Sequence, residues 1–139
     1  MTEVKKIMDT KLFHTDDNEI ADAGEILRNG GLVAFPTETV YGLGASAFDS
    51  DAAKKIYAAK GRPSDNPLIV HICDKGQIKD IAEEIPESAK KVIDNFMPGP
   101  VTIILKKKSV VPNDVTAGLN TVAIRFPLHE TAQKLIKAA

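Results

Sequence analysis

The sequence predicts an α+β fold in which a β-sheet is flanked by helices. One observation is that apolar residues recur with helical spacing in several segments, for example at Ile20, Ala23 and Leu27. A second is that short apolar runs bounded by glycine or proline, such as residues 32–35 and 101–105, are typical of buried strands. Hydrophobic residues make up 43% of the 139 residues, which suffices for one domain with its own core over residues 1–139.

Composition and charge narrow the class of protein. No apolar run is long enough to cross a membrane and residues 1–6 lack the apolar stretch of a signal peptide, so we expect a cytoplasmic protein with no membrane partner. The lone Cys73 excludes an internal disulfide, and no Cys/His spacing indicates a metal site. Residues 1–50 hold nine acidic and four basic residues, whereas residues 51–139 hold ten and fourteen. This basic excess suits a phosphate-bearing ligand, although solvated lysines produce similar counts.

The first helix and strand follow from capping signals. Asp16 and Glu19 form a capping-box pattern, in which Asp16 accepts from an early amide and Glu19 reaches back, so a helix should begin here. Gly30 and Gly31 supply a left-handed stop for that helix. Residues 32–35 then predict a short strand that the following proline ends.

The segment after this strand is rich in hydroxyl groups. If it is extended, alternation places Thr37, Thr39 and Tyr41 on one face and aligns three hydroxyls. The alternative is that threonine and tyrosine are simply common in strands. Gly42 and Gly44 would permit close approach to the backbone, and glycines at these positions are equally compatible with a β-bulge.

The second helix leads into a loop that indicates a site. Asp49 or Ser50 should cap this helix, and its packing face of small apolar residues extends to Ala59. The loop of residues 60–67 then combines two prolines and a glycine with two cations and three short hydrogen-bonding side chains. Such a shaped loop is costly to order, which favours a functional role. It returns as the strand of residues 68–72, where Ile69 and His71 should share a face.

The second half of the chain predicts three helices and two strands. Helical patterns cover residues 77–84, 86–96 and 129–139, the second with Phe96 on its apolar face. The apolar run 101–105 predicts a central strand. The lysines 106–108 that follow it predict a solvated edge, and nucleic-acid contact is the alternative.

Residues 121–126 predict the second of these strands. Alternation places Val122, Ile124 and Phe126 on one side, with Thr121 and Arg125 on the other and about 13 Å apart along the strand. An arginine inside an apolar strand needs an anion. That anion is either an acidic residue in a structural ion pair or the carboxylate or phosphate of a ligand, which arginine forks suit.

The polar side chains near these strands are of types that bind and orient anions. No Ser/His/Asp, Cys/His or phosphate-loop pattern indicates a covalent or P-loop mechanism. The chain instead offers three cations, an imidazole, an amide and several hydroxyls: Lys60, Arg62, Arg125, His71, Asn66, Thr37, Thr39, Tyr41, Ser64 and Thr121. Nucleotidyl transfer depends mainly on positioning the reactants and stabilising charge, which these side chains can provide. For His71 the alternative is a structural histidine at the end of a strand.

Four blocks of the sequence resemble the YrdC-type threonylcarbamoyl-AMP synthase family in matching order. They are residues 35–44 (FPTETVYGLG), 59–71 (AKGRPSDNPLIVH), 98–102 (PGPVT) and 115–127 (VTAGLNTVAIRFP). The resemblance implies a YrdC-like, mixed and twisted β-sheet with a concave, positively charged site. It implies that L-threonine, bicarbonate and ATP give threonylcarbamoyl-AMP and pyrophosphate, the first step towards threonylcarbamoyladenosine in tRNA.

The resemblance also implies residue roles. Lys60 and Arg62 match the family's Lys-x-Arg motif, which faces the ATP phosphates. Three residues match positions that hold threonine: Thr39, His71 and Arg125. Nucleotide-binding positions are matched by Arg62, Asn66 and Thr121. Magnesium is expected with ATP, and no tightly bound cofactor is expected.

The resemblance covers only part of the family domain. The family domain normally continues into a Ser-x-Asn motif that completes the ATP and threonine sites, so we expect the C-terminal part of that domain to be missing here. The alternative function is an RNA-binding YrdC-like module without independent catalysis, with tRNA, double-stranded RNA or downstream tRNA-modification proteins as partners. A further alternative is a YrdC-like module within a larger carbamoyl-transferring enzyme.

Overall fold

The computed structural model describes residues 9–139 and shows six α-helices and five strands in that part of the chain. Among them, no helix has the length and apolar character needed to span a membrane. The elements in chain order are α1 (Asp17–Arg28), β1 (Val33–Phe35), β2 (Gly42–Gly44), α2 (Ser50–Lys60), β3 (Ile69–His71), a 3-10 turn (Lys75–Gln77), α3 (Ile78–Ile81), α4 (Glu87–Phe96), β4 (Thr102–Lys106), α5 (Asn113–Thr116), β5 (Thr121–Arg125) and α6 (Glu130–Ala138).

The strands form two sheets. β3, β5 and β4 make a mixed sheet in that order, in which β3 runs parallel to β5 and β4 runs antiparallel to it. β1 and β2 form a separate antiparallel pair. The predicted mixed sheet flanked by helices is therefore confirmed.

The prediction of a central strand at residues 101–105 is wrong, because β4 lies at an edge of the mixed sheet and β5 lies in its centre. Side chains along β4 alternate between the two sides: Ile103 and Leu105 are buried, whereas Ile104 is 68% exposed. An edge strand rich in isoleucine has the same apolar sequence as a central strand, so the apolar run alone did not distinguish them.

Two clusters of buried side chains hold the helices. The larger lies on one side of the mixed sheet and includes Ile78 and Ile81 of α3 and Ile93 of α4. The smaller joins α1, β1 and α6 through Ile20, Ala23, Leu27, Phe35, Ala132 and Leu135. A Cβ atom added at Gly24 would lie 2.7 Å from Ala138 atoms, so glycine allows α1 and α6 to pack closely.

The helix ends confirm most of the capping signals. The Asp16 carboxylate accepts the Glu19 amide at 2.9 Å, and the Asp49 carboxylate accepts the Ala52 amide at 3.1 Å. Glu19 does reach back, but past the cap to the amide of His14. The end of α2 is set by Gly61 with a left-handed φ of 62°, which turns the chain into the loop of residues 60–67.

Two predicted apolar positions are wrong. Ala59 is exposed and Phe96 is 59% exposed, whereas the neighbouring Tyr57 and Met97 are buried. Both exposed residues lie in the last turn of their helices, after the last buried residue of each helix, which is Tyr57 in α2 and Ile93 in α4. The helical period identified the buried faces, but it did not locate the point at which each helix leaves the core.

Replacing Asp49 with alanine should lower the free energy of unfolding by about 1 kcal/mol, the usual cost of losing an N-cap. The change removes the carboxylate that accepts the Ala52 amide at the start of α2. Chemical denaturation followed by circular dichroism measures the effect. The exposed Asp22 in α1 gives the control, since Asp22→Ala should change this free energy by less than about 0.5 kcal/mol. Wild-type stability in Asp49→Ala would contradict the cap.

Candidate functional site

The register of the mixed sheet places His71 beside Arg125. These two residues are opposite each other in the parallel pair of β3 and β5, and Thr102 of β4 is opposite Arg125 on the other side. Residues in register point to the same face of a sheet. The neighbouring residues Val70 and Ile124 are buried in the core, so His71 and Arg125 project from the opposite side. This side, the open face, carries Ile69, His71, Thr121, Ala123, Arg125, Thr102, Ile104 and Lys106.

Arg125 forms an ion pair with Glu38. Its Nη2 donates to Oε1 of Glu38, and the two side chains are 14% and 19% exposed. Its Nε is buried and has no hydrogen-bond partner among the residues that the structure describes. The structural ion pair, one of the two alternatives for Arg125, is thus present, and it leaves the buried Nε of the guanidinium unused.

Glu38 is a site residue that the sequence did not predict. It lies between Thr37 and Thr39, in the turn that joins β1 to β2, and its Oε2 accepts the backbone amide of Leu128. Burial by itself would raise the pKa of the Glu38 carboxyl. Hydrogen bonds from the amides of Leu128 and of Glu38 itself, together with the charge of Arg125, outweigh this effect and lower the pKa.

His71 is held in one orientation. Its Nδ1 lies 3.0 Å from the carbonyl oxygen of Ile69, which can only accept, so Nδ1 carries a proton and Nε2 is the acceptor of the neutral ring. The ring meets Phe35 edge to face, with centroids 5.7 Å apart. Burial lowers the pKa of His71 and the charge of Arg125 acts in the same direction, and together they outweigh the hydrogen bond to Ile69 and the charge of Glu38, which act to raise it. A neutral His71 is therefore favoured beside Arg125.

The hydroxyl-rich segment forms a bend instead of continuing the strand. The Thr37 hydroxyl donates to the carbonyl of Val40 and lies 3.2 Å from the hydroxyl of Thr39. Tyr41 is 79% exposed, so the alignment of three hydroxyls on an extended face is wrong. Threonine hydroxyls close local turns as readily as threonines join strands, and here the local hydrogen bonds prevail.

The loop of residues 60–67 is tied together by its own arginine. Arg62 donates from Nε to the carbonyl of Asn66 at 3.2 Å and from Nη2 to the carbonyl of Pro67 at 2.6 Å. Tyr57 of α2 also donates to the carbonyl of Asn66, at 3.1 Å. These bonds fix the loop as a shaped connection, as predicted. Lys60 at its start is exposed.

A cavity of about 740 Å³ lies beside β2 and β3, and most of its lining is apolar. Lys60, Arg62 and His71 are among the residues that line it. The other predicted site residues, Thr39, Asn66, Thr121 and Arg125, do not line it. Arg125 lies next to one of the lining residues, His71, which is its register partner on the open face.

The remaining predicted residues lie around this centre. Thr121 shares the open face with Arg125 but lies at the opposite end of β5, paired with Lys106 of β4. Asn66 contributes its carbonyl to the loop, and its side chain is exposed. Thr39 is exposed in the bend next to Glu38. The structure thus brings Lys60, Arg62, His71 and Arg125 towards one region and places Thr39, Asn66 and Thr121 at its margins.

Two of the three lysines at residues 106–108 make hydrogen bonds within the chain. Lys107 donates to the carbonyl of Val111 at 2.7 Å and to the side chain of Asn113 at 2.8 Å. Lys108 donates to the carbonyl of Lys79. Lys106 and Lys108 are exposed, which confirms the predicted solvated edge for these two, whereas Lys107 is half-buried.

Comparison with known proteins identifies the family. A family model named Sua5_yciO_yrdC, with the description "Telomere recombination", matches residues 25–139. The chain belongs to the Sua5/YciO/YrdC family. The family match covers every residue assigned above to the candidate site, so the resemblance in the four sequence blocks is confirmed at the level of the family.

Relatives in this family share much of the chain. The threonylcarbamoyl-AMP synthase of Pyrococcus abyssi is 56% identical over 119 residues, which are 86% of this chain and 35% of that protein. The threonylcarbamoyl-AMP synthase of Bacillus subtilis is 56% identical over 129 residues, which are 92% of this chain and 37% of that protein. This member of the Sua5/YciO/YrdC family therefore spans little more than a third of the length of these relatives.

A solved structure confirms the fold. The crystal structure of P. abyssi Sua5 complexed with L-threonine matches this chain with a TM-score of 0.87 and 54% sequence identity. The match covers 88% of this chain and 36% of the Sua5 chain. The mixed sheet and its flanking helices are thus those of the Sua5/YciO/YrdC family.

The pKa of His71 should lie below its ordinary value of 6.5, because burial disfavours the charged imidazolium. An NMR titration of the His71 ring protons measures this value directly. Since the unfolded chain then binds a proton more readily, the contribution of His71 to stability is complete above pH 6.5 and is lost as the pH falls through the folded pKa. A midpoint at or above 6.5 would contradict this environment.

Proposed function

We propose that this chain carries threonine- and ATP-binding residues of a threonylcarbamoyl-AMP synthase. The proposed reaction converts L-threonine, bicarbonate and ATP into threonylcarbamoyl-AMP and pyrophosphate. The observation that carries the proposal is the pairing of Arg125 with His71 on the open face, beside the cavity that Lys60 and Arg62 line. The names of the two relatives at 56% identity support it.

Arg125 is the proposed partner of the threonine carboxylate. A guanidinium forms short, charge-assisted and often paired hydrogen bonds with a carboxylate. Its Nε is buried without a partner among the described residues, and an incoming carboxylate would satisfy it. His71 would offer Nε2 as an acceptor to a donor group of threonine, its amine or hydroxyl, because its Nδ1 already donates to the carbonyl of Ile69. Thr39 would add a hydroxyl from the bend.

Lys60, Arg62, Asn66 and Thr121 are the proposed nucleotide side of the site. Lys60 and Arg62 would face the phosphates, where fixed positive charges offset the charge that develops on the departing pyrophosphate. Arg62 is already held by two carbonyls of its loop, so its guanidinium would need little reordering when ATP binds.

The proposed chemistry is a nucleotidyl transfer. The threonine amine combines with bicarbonate and loses water to give a carbamate. A carbamate oxygen then forms a bond to the α-phosphorus of ATP, while the bond from that phosphorus to the bridging oxygen breaks and pyrophosphate leaves with the electron pair. In this step the residues of the chain orient the two reactants and stabilise negative charge, and no side chain acts as a nucleophile.

Magnesium would enter with ATP as part of the substrate. Within residues 9–139, no three histidine, cysteine, aspartate or glutamate side chains converge as a metal site. We therefore assign no residue of the chain to the metal. The ATP phosphates themselves are suitable oxygen ligands for magnesium.

The RNA-binding alternative has weaker support. Lys107 and Lys108 donate to groups of the chain itself, and Lys106 is the member of the triplet that lies on the open face. Transfer of the product to tRNA, and contact with downstream tRNA-modification proteins, belong to the proposed function.

Pyrophosphate release tests the reaction. The purified chain should release pyrophosphate from ATP when L-threonine and bicarbonate are both present, and should release much less when either is omitted. A folded chain that releases none, or that releases the same amount without threonine, would contradict the proposal.

Arg125→Ala should weaken L-threonine binding by about 10- to 150-fold, since a hydrogen bond to a charged group contributes roughly 1.5–3 kcal/mol. Isothermal titration calorimetry measures this affinity, with circular dichroism as the check that the variant folds. Lys91→Ala, an exposed change on α4, is the control and should bind threonine like the wild type. Unchanged affinity in folded Arg125→Ala would refute the carboxylate assignment.

A further inference from the structure

Glu38 connects three segments that are distant in the sequence. It lies in the bend between β1 and β2, its Oε1 accepts Nη2 of Arg125 at the end of β5, and its Oε2 accepts the amide of Leu128 before α6. The side chain is 19% exposed, so these contacts are largely shielded from water. A single carboxylate therefore fixes the bend against the end of the central strand.

This arrangement restricts the guanidinium of Arg125. Glu38 engages Nη2, while the buried Nε has no partner among the described residues. A guanidinium is planar, so an anion bound at one nitrogen fixes the directions in which the other N–H groups point. A second carboxylate can then be recognised without first ordering a long, flexible side chain, which reduces the entropic cost of binding.

Glu38 also positions the residue that follows it. Within the same bend, the Thr39 amide donates to the Thr37 hydroxyl at 3.3 Å, and that hydroxyl donates to the carbonyl of Val40. These local bonds set the shape of the bend, whereas the contacts of Glu38 set its location. The hydroxyl of Thr39 is thus placed relative to Arg125 through Glu38.

We propose that Glu38 is a positioning residue of the threonine site, which orients Arg125 for the amino acid carboxylate and anchors the bend that carries Thr39. This inference rests on the proposed function. A carboxylate with a merely structural role would stabilise the folded chain without affecting how the site distinguishes a carboxylate from a neutral group. Selectivity for the carboxylate therefore separates the two roles.

The test compares L-threonine with L-threoninamide, which lacks the carboxylate charge. Calorimetry on the wild type should show at least a tenfold preference for threonine. Glu38→Gln retains an oxygen for the Leu128 amide but loses the charge that holds Arg125, and it should lower both threonine affinity and this preference by about tenfold. Glu38→Asp retains the charge and should recover part of both. Asp49→Ala, which weakens the chain at a distant helix cap, should keep both at the wild-type level.

The outcomes separate this inference from the proposed function. If the wild type binds threonine and folded Glu38→Gln binds it with the same affinity and preference, the inference is overturned and the proposed function stands. Tighter binding in Glu38→Gln would also overturn it, because Glu38 would then compete with the substrate for Arg125. If the wild type itself does not prefer threonine to threoninamide, both fail.

Discussion

The parallel pairing of β3 with β5 is the constraint on which the rest of the structure depends. It sets His71 opposite Arg125 and, one residue earlier, Val70 opposite Ile124. The first pair belongs to the open face and the second to the core. A slip of one residue would exchange the two faces, burying charge and exposing isoleucine, so the hydrophobic core enforces the register that builds the site.

The ion pair between Arg125 and Glu38 follows from this register. An arginine that projects from a central strand is largely shielded from water, and shielding a charge is costly unless an opposite charge is close. Desolvation offsets much of the attraction in such a pair, so the pair contributes little to net stability. Its main effect is to fix the orientation of the Arg125 side chain. The pair brings the bend after β1 against the open face, so that one interaction serves both folding and the site.

The sequence predicted local features better than distant partnerships. The alternation in β5 identified Arg125 and the residues that share its face, and the caps at Asp16 and Asp49 were correct because capping depends on neighbours in the chain. The partner of Arg125 could not be predicted, since Glu38 is 87 residues away and nothing local distinguishes it from other acids. The bend at Thr37 and Thr39 was missed because threonine suits strands and turns alike. The edge location of β4 depends on sheet order, which an apolar run does not encode.

The most direct test of this account is a crystal structure of the chain with L-threonine and ATP. We predict the threonine carboxylate within hydrogen-bonding distance of the Arg125 guanidinium and a donor group of threonine, its amine or hydroxyl, near Nε2 of His71, with Glu38 still bound to Arg125 and to the amide of Leu128. Threonine bound elsewhere, with Arg125 contacting Glu38 alone, would contradict it.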